Sequence, residues 1–268
     1  MNILKKRKIA LALGGGAARG LTSIGVLRVF ERHFGREKMP FDLVTGTSIG
    51  SLIGAAFCLG VPMGEIEETA LKFSSSRLMD FSLNPTGLFS GNKMEKIISE
   101  ILSGRSFDDF VVPFGLTTTD LQTGEEFVHT SGDLVKLVRA SCSWPGFFSS
   151  TSIDGRLLAD GGIRNSVPTK AAYHLGATFV VAVNPGFAVT DDKIDNVLKA
   201  LVQSIQIMGE ELSDYQSGMA DFSIKPELKN VHQFDFDKAD YIVKQGEIAA
   251  ENAIKEMKHK IWFHTLLR

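Results

Sequence analysis

The chain has 268 residues, 44% hydrophobic and 22% charged, the balance of a globular protein long enough to bury a sizeable core. Its 29 basic and 31 acidic side chains leave a net charge of −2, which removes any global case for a nucleic-acid binder. Cys58 and Cys142 are the only cysteines, too few for a disulfide framework or a cysteine-based zinc site, and they suit a reducing, cytoplasmic location.

Lys5-Lys6-Arg7-Lys8 precedes the aliphatic run Ile9–Leu13. That run is shorter than the roughly 7–15 residues of a signal-peptide core, so the basic cluster reads as a solvated lead-in to a buried strand. Leu21–Phe34 reads as a helix with Ile24, Leu27 and Phe30 on one face. Phe41–Thr45 is a second strand, Ser51–Leu59 a helix stopped by Gly60 and Pro62, and Glu65–Phe73 a third helix. The segment 74–90 mixes turn residues with Phe81, Leu83, Leu88 and Phe89, and reads as a packed surface loop or as a flap offering apolar side chains to a substrate.

Asn92–Leu102 is helical, Phe114–Thr119 and Glu126–His129 form a hairpin, and Gly132–Ala140 is helical. Asp154-Gly155 is a two-residue turn signal between strands Thr151–Ile153 and Arg156–Ala159. A helix over Val167–Leu175 and an apolar strand over Phe179–Val183 follow. Helical patterns over Ile194–Gln216 and Tyr241–His259 flank a short strand near Phe222–Lys225, and the apolar stripe of Leu198–Met208 reads as core rather than as a membrane-facing surface. Strands alternating with helices predict an α/β fold: a single three-layer domain around a mostly parallel sheet. It carries its motifs over about 8–185 and a helical part over about 190–268. No run reaches the roughly 18 apolar residues of a spanning helix, so membrane contact is expected only at the surface.

Gly46-Thr47-Ser48-Ile49-Gly50 fits Gly-x-Ser-x-Gly between a strand and a helix. A nucleophilic serine must project from a tight turn, and glycines on either side keep that turn clear. The following helix directs its N-terminus at the site and favours developing negative charge. The competing reading is a glycine-rich packing turn. A second glycine loop, Leu13 to Gly20, exposes backbone amides that can bind an anion. It is neither a Walker A loop, because Leu21 stands where lysine must be, nor a dinucleotide fingerprint, because Arg19 stands where the last glycine belongs. An oxyanion hole is such a cradle. Arg19 either adds positive charge to it or braces it through backbone carbonyls.

A serine needs a base. None of the six histidines sits in a small-residue loop directly after a strand; His174 lies inside a helix and His129 in a strand. Asp160 is better placed, in Leu158-Ala159-Asp160-Gly161-Gly162, although a turn-forming aspartate reads the same way.

In order, GGGAARG, GTSIG, RASCSWPGFF and DGG resemble the patatin-like phospholipase family, in particular its compact bacterial members, from about Ile9 to Val183. DLQTGEEF and ADFSIKP are also similar to those members. The resemblance implies a serine acyl-ester hydrolase acting on a phospholipid or lysophospholipid, with Ser48 as nucleophile, Asp160 as its base, no histidine, no metal and no cofactor. It places the oxyanion hole in the loop of Gly14, Gly15, Gly16, Ala17 and Arg19, where the family pattern Gly-Gly-Gly-x-Arg/Lys-Gly meets Ala17 in place of its third glycine. Phe89, Trp144, Phe147 and Phe148, with Leu88 and Phe81, are candidates to line an acyl channel, with core packing as the competing account. Two other readings stay open: a Ser–His hydrolase or acyltransferase using His174 or His129, and a non-catalytic lipid- or anion-binding regulatory protein.

Overall fold

The computed structural model describes residues 7–71, 80–84, 86–189 and 193–266. β1 (Ile9–Leu13) leaves through the glycine loop and a 3-10 turn, Ala17–Leu21, into α1 (Thr22–Phe34). β2 (Leu43–Gly46) runs directly into α2 (Ile49–Cys58), and α3 (Met63–Leu71) follows. Next come β3 (Phe81–Asn84), β4 (Gly87–Phe89), α4 (Asn92–Leu102), β5 (Phe114–Asp120), β6 (Glu126–His129) and α5 (Leu134–Ser141). β7 (Gly146–Phe148), β8 (Thr151–Ile153), β9 (Arg156–Asp160), α6 (Gly162–Asn165) and α7 (Thr169–His174) lead to β10 (Phe179–Val183). The chain closes with α8 (Val197–Gly218), β11 (Phe222–Ile224) and α9 (Ala239–Leu266).

The main sheet runs β11-β10-β1-β2-β5-β9-β8, with β6 also paired to β5. It is parallel from β11 to β5 and antiparallel at β6, β8 and β9. β1 and β10 are apolar at every position because helices cover both faces. Ile9, Leu11 and Leu13, with Phe179, Val181 and Val183, enter the large core shared with α1, α2 and α9. The alternating Ala10, Ala12, Val180 and Ala182 face a smaller core with Val167 and Ala172. Small side chains on that face let the short helix α7 lie close over β1, β2 and β10.

The elements deviate from expectation in three places. β3, β4 and β7 form a separate three-stranded sheet that the sequence pattern does not announce. It takes up the described half of the 74–90 segment, whose residues 74–79 lie outside the described chain. The seventh helix begins at Thr169, after Pro168, rather than at Val167. Finally, the stripe on α8 expected to be core is exposed, with Leu201 58% and Met208 63% accessible. No described helix is long and apolar enough to cross a membrane.

α1 and α9 cross at glycines. A Cβ on Gly25 would lie 2.7 Å from the Glu247 amide nitrogen and 3.1 Å from the Gly246 carbonyl carbon, and one on Gly246 would lie 2.8 Å from the Thr22 carbonyl carbon. Backbone cannot yield as a flexible side chain can. Gly25→Val is therefore expected to lower stability by about 2 kcal/mol or more, read as a reduced denaturant midpoint at unchanged slope.

Candidate active site

The carboxyl ends of three parallel strands are level: Leu13 is in register with Gly46 on one side and with Val183 on the other. In open α/β sheets this edge is where ligands bind. Ser48 stands here at φ 53°, ψ −130°, a conformation costly for a residue with a side chain. The flanking glycines permit it. A Cβ on Gly46 would lie 2.5 Å from the Gly50 carbonyl oxygen, and one on Gly50 would lie 2.6 Å from the Gly14 carbonyl oxygen. The turn is fastened on both sides. The Thr47 hydroxyl donates to the Asn165 carbonyl and pairs with the Thr117 hydroxyl, each at 2.7 Å. The Ser48 amide donates to Ser141 Oγ at 2.9 Å, and the Ser51 hydroxyl donates to the Ser48 carbonyl at 2.6 Å.

Asp160 ends β9, paired with Thr118 of β5, while Gly46 of β2 pairs with Leu116 of the same strand. Two positions on β5, separated by Thr117 alone, thus bring the carboxylate to the serine. The Asp160 carboxylate accepts the Gly162 amide at 2.7 Å, the Ser48 side chain lies near enough to favour its charged form, and the Asp160 amide donates to the Ser143 carbonyl at 3.0 Å. Gly161 is required by proximity, since its Cβ would lie 2.5 Å from the Thr117 carbonyl oxygen. Burial raises the Asp160 pKa to about 6, against the opposing pull of the Gly162 amide and the Ser48 hydroxyl. The Cys142 thiol lies beside the Ser48 and Ser51 side chains, and burial together with the Asp160 charge pushes it up to about 12, so it remains a neutral thiol.

The glycine loop divides into donors already engaged and donors left open. The Gly14 amide bonds to the Val183 carbonyl at 3.0 Å and the Gly15 amide to the Ser166 carbonyl at 2.8 Å, which removes both from the oxyanion set expected from sequence. The amides of Gly16 and Ala17 have no hydrogen-bond partner among the described residues, and both residues line the cavity above Ser48. Ile49, the first residue of α2, also lines it with an unengaged amide. Ala17 holds φ 49°, a left-handed conformation that glycine adopts without strain. Arg19 is 7% exposed and does not line the cavity; it braces the loop instead. Its Nε donates to the Pro185 and Gly186 carbonyls at 3.2 and 3.1 Å, and its Nη1 to those of Leu228 and Val231 at 3.1 and 2.8 Å. Burial lowers its pKa to about 10, with Glu210 pulling the other way, and it stays charged at neutral pH.

Ser48 and Asp160 open into an apolar cavity of about 500 Å³. Of the four predicted channel residues, Trp144 and Phe148 line it. Phe147 stacks behind Trp144 at 4.8 Å, and Phe89 lies behind Phe148 at 5.9 Å; both are packing residues. Sequence reasoning missed Phe187, Phe234 and Phe236, which do line the cavity. The aromatic pair in Phe234-Asp235-Phe236 was the available signal. No histidine is among the lining residues. His129 is bound to the Thr118 hydroxyl at 2.7 Å and is held down to about pKa 4 by burial, and His174 is exposed on α7.

A mostly parallel sheet covered on both faces, with a serine at positive φ in a glycine-flanked strand-to-helix turn, defines an α/β protein carrying a nucleophile-elbow geometry. The family model for patatin-like phospholipase matches residues 11–173, and the chain belongs to that family. It is 35% identical over 192 residues to patatin-like phospholipase domain-containing protein 7 of Rattus norvegicus, covering 69% of this chain and 14% of that protein. It is 33% identical over 191 residues to the neuropathy target esterase sws of Drosophila melanogaster, covering 68% and 13%. It is 30% identical over 197 residues to lysophospholipase NTE1 of Scheffersomyces stipitis, covering 71% and 12%. The chain therefore spans only 12–14% of the length of these relatives. Among solved structures, VipD from Legionella pneumophila shares the fold, with a TM-score of 0.56 at 11% identity over 94% of this chain and 67% of that one.

Ser141 is fully buried and accepts the amide of the strained Ser48. Ser141→Ala leaves that amide without a partner, and is expected to cost about 1–3 kcal/mol in stability, read by thermal unfolding. Ser141→Thr keeps the acceptor and is expected to recover most of the loss.

Proposed function

We propose that the protein hydrolyses lipid acyl esters, of phospholipid or lysophospholipid type, through a Ser48–Asp160 dyad. The observation that carries this reading is that Ser48 and the buried Asp160 carboxylate line the same apolar cavity, with the serine near enough to favour the charged carboxylate. Two of the relatives are themselves an esterase and a lysophospholipase by name, which supports the substrate class. In this mechanism Ser48 Oγ attacks the ester carbonyl carbon as Asp160 accepts its proton, and the carbonyl electron pair moves onto oxygen. The amides of Gly16, Ala17 and Ile49 receive that oxyanion, assisted by the N-terminus of α2. Collapse breaks the ester C–O bond, and the leaving alcohol takes the proton from Asp160. Asp160 then takes a proton from water as it attacks the acyl-serine, and returns it to Ser48 as the acid departs.

A free carboxylate is a weak base for serine, and the raised pKa of Asp160 brings it nearer to the working range. The two unpaired thiols, Cys58 and Cys142, favour a cytoplasmic setting.

Treatment with a fluorophosphonate ester is expected to add its mass at Ser48, and neither Ser48→Ala nor a purely ligand-binding protein would take the label there. Ser48→Ala and Asp160→Asn are each expected to lower ester turnover by about 10⁴-fold or more. Equal activity in all three proteins would end the reading, and loss only in a histidine variant would move it to a Ser–His enzyme. Because Asp160 must be ionised to accept a proton, kcat/KM is expected to fall tenfold per unit as the pH drops below about 6.

A further inference from the structure

Helix α8 is inside out. Its buried side chains are Gln206, Ser213, Gln216 and Ser217, and Gly209 touches the Phe187 ring. The buried polar groups are bonded to protein. Gln206 Nε2 donates to Gln233 Oε1 at 2.9 Å, Gln216 Oε1 accepts the Val167 amide at 3.1 Å, and Gln216 Nε2 donates to the Arg164 carbonyl at 2.7 Å. Ser217 Oγ accepts Asn184 Nδ2 at 3.1 Å. Val197, Leu201, Ile205 and Met208 fall on one stripe about 80° wide at about 100° per residue, and they are 76%, 58%, 38% and 63% exposed. A surface helix of a globular protein normally has the opposite arrangement, and a contiguous exposed apolar face marks a surface that something covers.

The stripe runs into the cavity. Ile205 and Met208 belong both to it and to the cavity wall, and Leu121 and Ile163, each 39% exposed, are also part of that wall. We propose that the Val197–Met208 stripe is the face by which the protein sits on a lipid surface, so that an acyl chain slides from the bilayer along Ile205 and Met208 into the cavity without crossing water. The inference rests on the lipid-ester reading above and assigns its docking face. Continuity with the cavity wall selects a lipid surface over a second copy of the chain, which would cover the substrate's entrance. Lys193 and Lys199 are set against Asp195, Glu210 and Glu211, and Lys199 pairs with Asp195 at 2.9 Å. Without a basic surplus, the attraction is apolar, the surface a zwitterionic one, and the binding insensitive to salt.

The test uses the full chain carrying Ser48→Ala, so that lipid is not consumed, in flotation with phosphatidylcholine vesicles. The expected result is binding that changes little between low and high salt. Adding Val197→Glu and Leu201→Glu, neither of which lines the cavity, is expected to weaken it by about tenfold or more. Val111→Glu, at an apolar site 74% exposed elsewhere, is expected to leave it unchanged. In the Ser48 protein, the Val197→Glu, Leu201→Glu pair is expected to keep full hydrolysis of a water-soluble short-chain nitrophenyl ester. If the glutamate pair lowers the thermal midpoint, the serine pair at the same positions is read instead, with a several-fold loss expected. Absence of vesicle binding by the parent chain, or equal binding by the double variant, overturns the proposal. So does a dimer that the double variant dissolves, which would assign the stripe to a second copy. If no form hydrolyses the soluble ester, the lipid-ester reading fails, while the vesicle result still decides the docking face.

Discussion

Strand β5 pairs with two strands in succession, and the site depends on that pairing. Phe114 to Leu116 pair with β2, and Thr118 to Asp120 pair with β9. One strand therefore acts as a ruler that sets the end of β2 beside the end of β9, and Ser48 and Asp160, remote in sequence, lie just past those ends. Thr117, between the two pairings, bonds to Thr47 and closely faces Gly161, so the ruler also touches both turns. A slip of one residue in either register would turn the side chains to the opposite face of the sheet.

The segment after α5 completes the clamp. Ser141 Oγ holds the Ser48 amide, the Cys142 thiol lies against the Ser48 hydroxyl, and the Ser143 carbonyl holds the Asp160 amide. Arg139, 4% exposed, anchors this segment by donating to the carbonyls of Ser90, Gly91 and Ser149 and to the Ser143 hydroxyl. The small sheet β3-β4-β7 thus has a positioning role, because the residues just past β4 and β7 supply the carbonyls that solvate a buried cation.

Most of the central sheet was legible because its strands are apolar runs bounded by glycine and proline, a pattern governed by burial on both faces. The Asp154-Gly155 hairpin was legible for a local reason: both residues take positive φ, which that dipeptide tolerates. The turn around Ser48 was legible because steric crowding at Gly46 and Gly50 is written in residue type. What escaped depends on distant partners. Gly14 and Gly15 look equivalent to Gly16 in sequence, and only the placement of Val183 and Ser166 engages their amides. Phe147 and Phe148 are adjacent aromatics, but strand alternation in β7 sends only Phe148 into the cavity. The orientation of α8 was misread because apolar spacing alone does not say which face is covered; the polar partners Gln233, Arg164 and Val167 decide that.

The bracing of Arg19 has a consequence for how the chain can be divided. Its acceptors at Leu228 and Val231 lie beyond residues 11–173, the span matched by the family model, and so does Gln233, whose carbonyl takes the Ala18 amide at 2.9 Å. The last quarter or so of the polypeptide is thus a splint for the glycine loop at the opposite terminus. Cutting the molecule down to residues 11–173 would strand the Arg19 guanidinium in the interior without the carbonyls of Pro185, Gly186, Leu228 and Val231, and that span would not stand as a module on its own.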